Sequence, residues 1–168
     1  MNLKLTLFFA VSLAVVGAIA APQLASACGT PSEAEMDRMS IDDVVVNHLN
    51  AVRKGDAKKL TGLWSANPGA SVIRLSRSGK QVVSMTPINN SIAKWASTPD
   101  KQMKWTVKST RVKGNSATVE LAITWHGATL AEQLTLRKKK GVWALAGKRF
   151  RIMKAAVVAK RKTFGGGY

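Results

Sequence analysis

Between residues 103 and 152 apolar side chains recur at every second position through successive short runs. Met103, Trp105 and Val107 share one face of the first run, and Val119, Leu121, Ile123 and Trp125 share one face of the next. Leu130, Leu134 and Leu136 continue the alternation, followed by Trp143 and Leu145 and then Phe150 and Ile152. The runs are separated by Lys113-Gly114-Asn115, His126-Gly127 and Lys139-Lys140-Gly141, all turn-forming sequences. Period two over adjacent runs predicts an antiparallel sheet with one buried and one wet face.

Upstream the period changes to that of a helix. Ile41, Val44, Val45, His48, Leu49 and Val52 form one stripe, with Ser40 as the expected N-cap and Asp43 at capping-box spacing. Gly55 ends this helix, and Asp56 caps a second whose Leu60, Leu63 and Trp64 face inward. Ser71–Leu75 and Gln81–Met85 flank Arg77-Ser78-Gly79-Lys80 as a short hairpin. Thr86 and Pro87 then start a third helix by the N-cap and N1 rule, with Ile88, Ile92 and Trp95 on one side and Thr98-Pro99 as its stop.

The two ends read differently from this middle. Lys4, the apolar run from Leu5 to Ala20 and the small residues Ala25-Ser26-Ala27 read as a secretory signal peptide over residues 1–27, with a retained membrane anchor as the alternative. Residues 28–39 read as a polar tether, residues 40–153 as one domain and residues 154–168 as a basic, Gly-rich tail. Cys28 is the only cysteine, so no intrachain disulfide supports the core. Leu24-Ala25-Ser26-Ala27-Cys28 resembles a bacterial lipobox, with Ala25 where Leu is usual, which implies acylation at Cys28; ordinary cleavage at Ala27 is the other expectation.

Charge sharpens the picture. The net +17 comes from 26 Lys and Arg against nine acids. Six of the acids (Glu33, Glu35, Asp37, Asp42, Asp43, Asp56) precede residue 57, so the sheet half is strongly basic. Such a surface attracts polyanions through a salt-screened field, and for an exported chain these are anionic envelope polymers or lipid. Nucleic acid is disfavoured as a partner by the export signal and by the lack of the aromatic interleaving that single-strand binders use.

The order helix, helix, hairpin, helix and long meander resembles the NTF2-like superfamily, and most nearly its bacterial lumazine-binding and SnoaL-like members. Asn47 to Leu60 is similar to the family's helix, Gly-Asp, helix opening, and Val112 to Val119 to its Val-Gly-Ala-Val hairpin. Leu134-Thr135-Leu136 through Gly141 to Lys148 is similar to its closing leucine strand, glycine, tryptophan and lysine. The resemblance implies an α+β fold, a cone of curved antiparallel sheet closed by three helices around a pocket, and pairing as a homodimer through the sheets. Where relatives often carry Asp-Tyr before the leucine strand, this chain has Glu132-Gln133.

Two residues are candidates for proton transfer. Strand parity puts Glu132 on the apolar face with Leu130 and Leu134, where a carboxylate in a pocket can act as general acid or base. The plainer expectation is a salt bridge to Lys148 or Arg149 across the sheet. His48 lies in the apolar stripe of the first helix, either lining the pocket mouth or packed as a core residue. Trp64, Trp95, Trp105 and Trp125 are candidate pocket walls as well as core. Arg137, Lys138, Lys139, Lys140, Lys148, Arg149 and Arg151 are the candidate polyanion surface, or simply solvated turn and strand residues. No P-loop, dinucleotide fingerprint, HExxH or Cys/His cluster occurs, so neither a metal nor a cofactor is expected. The expected function is binding of a small apolar or aromatic ligand in the cone. The alternatives are a SnoaL-like isomerase, cyclase or hydrolase using Glu132 and His48, and a non-enzymatic polyanion-binding envelope module.

Overall fold

The computed structural model describes residues 30–155. The leader, Cys28 and residues 156–168 lie outside the described residues. The elements run α1 (Glu33–Lys54), α2 (Ala57–Trp64), β1 (Ser71–Leu75), β2 (Val82–Pro87), α3 (Ile88–Ser97), β3 (Lys104–Lys113), β4 (Ser116–Trp125), β5 (Ala128–Lys139) and β6 (Val142–Lys154).

The six strands form one curved, unclosed sheet in the order β2-β1-β6-β5-β4-β3. Strands β3 to β6 are the antiparallel meander that the alternation predicts. The sheet as a whole is mixed, because β1 joins β6 in parallel, Val72 beside Lys148 and Arg74 beside Phe150. Local alternation cannot show which distant strand an edge hairpin will choose. Bulges at Arg74/Leu75, Val107/Ser109, Thr129/Leu130 and Thr135/Leu136 interrupt the register and bend the strands. The three helices cover the resulting concave face, where Ile41, Leu49, Leu60, Trp64, Ile88, Trp95, Leu134 and Leu145 make one buried core.

The first helix begins earlier than its apolar stripe. Ser32, not Ser40, is its N-cap: Glu35 N–H donates to Ser32 Oγ, and Glu35 Oε2 accepts from Ser32 N–H at 2.7 Å. Residues 33–39, expected as tether, are therefore its first two turns, and a Ser-x-x-Glu box is the stronger sequence signal. Asp37 fastens these turns to the sheet. Its Oδ1 accepts from Lys138 Nζ at 2.8 Å and from Trp143 Nε1 at 3.0 Å. The two hydrogen bonds hold the Asp37 carboxyl below its usual pKa, and Asp37 raises that of Lys138 in turn. At the third helix Pro87 is the N-cap and makes no side-chain cap bond, while Thr86 stays in β2. The tail boundary also moves, since Lys154 ends β6.

Gly55 closes α1 in the left-handed conformation at φ 71°, its N–H donating to Val52 O while Asp56 N–H donates to Ala51 O. A Cβ there would stand 2.7 Å from Ala96 O, whereas one at Gly114 (φ 53°) would meet nothing within 4 Å. Gly114→Ala should therefore cost only the backbone strain of about 1 kcal/mol. Gly55→Ala should cost clearly more, about 2–4 kcal/mol, because the α1–α3 approach must open as well. Chemical denaturation of the two variants checks this; equal losses would mean that the close approach carries no energy.

Candidate functional site

Two chambers that share part of their walls lie between the helices and the concave face. The inner one is lined by Leu49 and Val52 from α1, Trp95 from α3, Met103, Ile123 and Trp125, and by Leu130, Glu132, Lys148 and Phe150 from β5 and β6. Its free volume, about 40 Å³, admits a water or two or the edge of a ring, not a fused ring system. Trp95, Trp125, Leu130 and Phe150 also border the outer chamber, of about 420 Å³. The outer rim is polar and basic, with Arg74, Ser84, Thr86, Asn90, Lys94 and His126.

The floor of the inner chamber is an ion pair. Lys148 Nζ stands 2.6 Å from Glu132 Oε2, with the two side chains 8% and 1% exposed. Glu132 pairs with Phe150 and Leu134 with Lys148, so the charged residues are diagonal neighbours on one face. The bulge at Thr135/Leu136 sets this up. Leu136 pairs with Leu145 and Thr135 with Gly147, which leaves Ala146 as the extra residue of β6. Trp143 and Leu145 face inward before it, and Lys148 and Phe150 after it. Lys148 is thus not part of any polyanion surface; the pocket holds it. Its ammonium also lies 4.7 Å from the centroid of Trp95, within cation–π range.

Two buried polar atoms of residues lining this chamber have no partner from the protein: Glu132 Oε1 and Trp125 Nε1. His48 is a third case. It is fully buried, neither ring nitrogen has a hydrogen-bond partner, and Trp64 and Trp95 meet its ring edge-on at 5.7 and 5.4 Å. Burial, and secondarily the nearby Lys148 charge, push its pKa well below the usual value. His48 and Glu132 therefore share no hydrogen bond, and His48 does not reach the chamber wall.

The remaining expected site residues divide as follows. Trp95 and Trp125 line both chambers. Trp64 is buried behind His48, and Trp105 stands outside the chambers under the Arg53 guanidinium, 5.4 Å from its ring centroid. Lys138 is committed to Asp37, and Lys139 Nζ donates to Ala66 O at 2.9 Å. Arg137, Lys140 and Arg149 are exposed and Arg151 half-buried. Sequence reasoning missed Phe150 and Met103 as pocket walls; both sit in the alternating pattern, but parity names a face and not its curvature. Among the described residues no group of three His, Cys, Asp or Glu is placed to hold a metal ion, and no helix is long and apolar enough to cross a membrane.

A family model described as "Putative lumazine-binding" matches residues 36–151. An NTF2-like protein of unknown function from Silicibacter pomeroyi superposes with a TM-score of 0.62 at 20% identity, over 72% of this chain and 99% of that one. One from Shewanella baltica gives 0.63 at 13% identity, over 75% and 100%. A protein from Streptomyces avermitilis, described as a putative dehydratase from the NTF2-like family, gives 0.57 at 16% identity, over 73% and 99%. At these identities the likeness is one of fold. No curated protein matches the chain at a significant level.

Removing one partner of the floor pair leaves the other buried and uncompensated. Lys148→Met should destabilise by about 3–5 kcal/mol, whereas Glu132→Met with Lys148→Met should be neutral or stabilising. Denaturant unfolding distinguishes the two, and a harmless single substitution would mean that the pair is solvated. His48 gives a pH prediction. In the unfolded chain it takes up a proton below about pH 6.5, whereas in the native protein it stays neutral further down. Its contribution is therefore complete above pH 6.5 and lost as pH falls, at up to about 1.4 kcal/mol per pH unit. The stability of wild type relative to His48→Leu should fall by that amount as pH falls through this window; a constant difference would refute the neutral assignment.

Proposed function

The chain belongs to the family described as putative lumazine-binding, within the NTF2-like superfamily, and from that premise we propose that it binds a small planar aromatic compound in its cone. One observation carries the proposal: a small, mainly apolar chamber floored by a buried ion pair shares Trp95, Trp125, Leu130 and Phe150 with a neighbouring space of about 420 Å³. Apolar walls with few polar groups are the usual composition of a small-molecule site. The two indoles line both spaces and offer apolar surface to a ring system, and water leaving that surface supplies the driving force. Lumazine, the compound in the family's description, is the first candidate.

Binding rather than turnover is favoured by the arrangement of the two candidate catalytic groups. Glu132 is engaged by Lys148, and His48 is shut behind Trp64 and Trp95. A proton relay between them would need a path that neither ring nitrogen of His48 offers.

The rest of the proposal rests on sequence. The leader over residues 1–27 puts the protein outside the cytoplasm, with Cys28 either acylated or near the mature N-terminus. The exposed Arg137, Lys140 and Arg149 would hold it near anionic envelope polymers or lipid by salt-sensitive attraction. Pairing of two copies through their sheets belongs to the same reading.

Calorimetric titration of the purified chain with lumazine should show saturable binding. Trp125→Ala should weaken it roughly fivefold or more, about the value of one aromatic contact. Trp105→Ala, outside the chambers, should leave it unchanged. Equal effects of the two substitutions would place the ligand elsewhere.

A further inference from the structure

Three polar groups meet at the inner chamber, and the protein meets the hydrogen-bonding capacity of none in full. Glu132 Oε1 accepts nothing and Trp125 Nε1 donates to nothing, although both are buried. Lys148 Nζ gives one N–H to Glu132 and turns toward the face of Trp95, which leaves one of its three N–H groups uncommitted. A free acceptor thus stands beside a partly uncommitted ammonium in an otherwise mainly apolar cavity, with the free Trp125 Nε1 belonging to another of its walls.

Charge narrows the class of ligand. Among the described residues Glu132 and Lys148 are the only charged side chains lining the inner chamber, and their charges cancel. A charged group entering it would meet no net compensation in a low-dielectric space, which is strongly unfavourable. A pure hydrocarbon would pack against Leu130 and Phe150 but leave the acceptor and donors without partners. An uncharged ring carrying an N–H beside a carbonyl answers both conditions. Size agrees: the free volume of about 40 Å³ takes such an edge, and the adjoining 420 Å³ takes the body of the ring system between Trp95 and Trp125.

Resting on the reading of the cone as a ligand site, we propose that its inner chamber recognises the cyclic amide or imide edge of an uncharged heteroaromatic compound. The ligand N–H donates to Glu132 Oε1, and its carbonyl accepts from Lys148 Nζ.

Three probes of one outline separate this from simple apolar binding: quinazolinedione, its N,N′-dimethyl derivative and naphthalene, each titrated calorimetrically into the full chain. Quinazolinedione should bind at least about tenfold more tightly than the dimethyl compound, because methylation removes the donor and leaves the buried acceptor unpaired. In the double variant Glu132→Met/Lys148→Met that ratio should fall to about twofold or less, with naphthalene still bound. The double variant replaces the pair rather than breaking it, so its fold is retained, and circular dichroism checks this. If wild type binds all three probes alike, the polar edge is refuted and the apolar cone stands. A preference that survives in the double variant assigns recognition to other groups and overturns the role of the ion pair. If none of the probes binds, the ligand reading of the cone fails as well.

Discussion

Taking a carboxylate and an ammonium out of water costs several kcal/mol for each ion, and the cost is met only where the two lie together in good geometry. Glu132 and Lys148 meet that condition at 2.6 Å, inside a cavity whose other walls are apolar. Their meeting depends on backbone. Without Ala146 as an extra residue in β6, the parity set by Trp143 and Leu145 would carry on to Gly147 and Arg149, and Lys148 would point to solvent. Glu132 would then be buried against a glycine and an arginine of different reach. The bulge therefore curves the sheet into a cone and also selects the cation at its floor.

From that floor a line of contacts runs into the core. Lys148 lies over Trp95, Trp95 meets His48 edge-on, and His48 meets Trp64. Trp95 is shared by the cavity wall and this buried stack, and Leu49 and Val52 bring α1 to the chamber directly. At the far end of the molecule Lys138 is held by Asp37 and Glu33. The two lysines act at different levels of the same sheet: Lys148, midway along β6, floors the chamber, and Lys138, near the β5–β6 turn, fastens the first helix.

Much of this was legible in the sequence, for identifiable reasons. The stripe from Ile41 to Val52 and the alternation from Val119 to Leu136 are long and regular, so helix and meander follow from them, while the superfamily came from the resemblance of Asn47–Leu60, Val112–Val119 and Leu134–Lys148 to family motifs. Glu132 facing inward came from the same parity. What parity could not give was phase across a bulge. Counting back from Phe150 puts Lys148 inside, and counting forward from Trp143 puts it outside; only the register at Ala146 decides. The basic surface was over-read for a related reason. Composition counts Lys138, Lys139 and Lys148 as free cations, while the fold commits one to Asp37, one to a carbonyl and one to the cavity. The parallel placement of β1 had no local signal at all.

That last pairing bears on how the chain reaches its native state. Strand β1 meets β6, the final element of the domain, with Val72 beside Lys148. Neighbours so distant in sequence carry a large loop-closure cost and form late. The meander β3–β6 can assemble from adjacent strands, but the hairpin β1–β2 has no place in the sheet until the last strand exists. A ribosome or a translocation channel holding back the final fifteen or so residues of the domain would therefore hold back the whole of its closure. Late closure of the domain would follow from topology alone, without any weakness in the finished core.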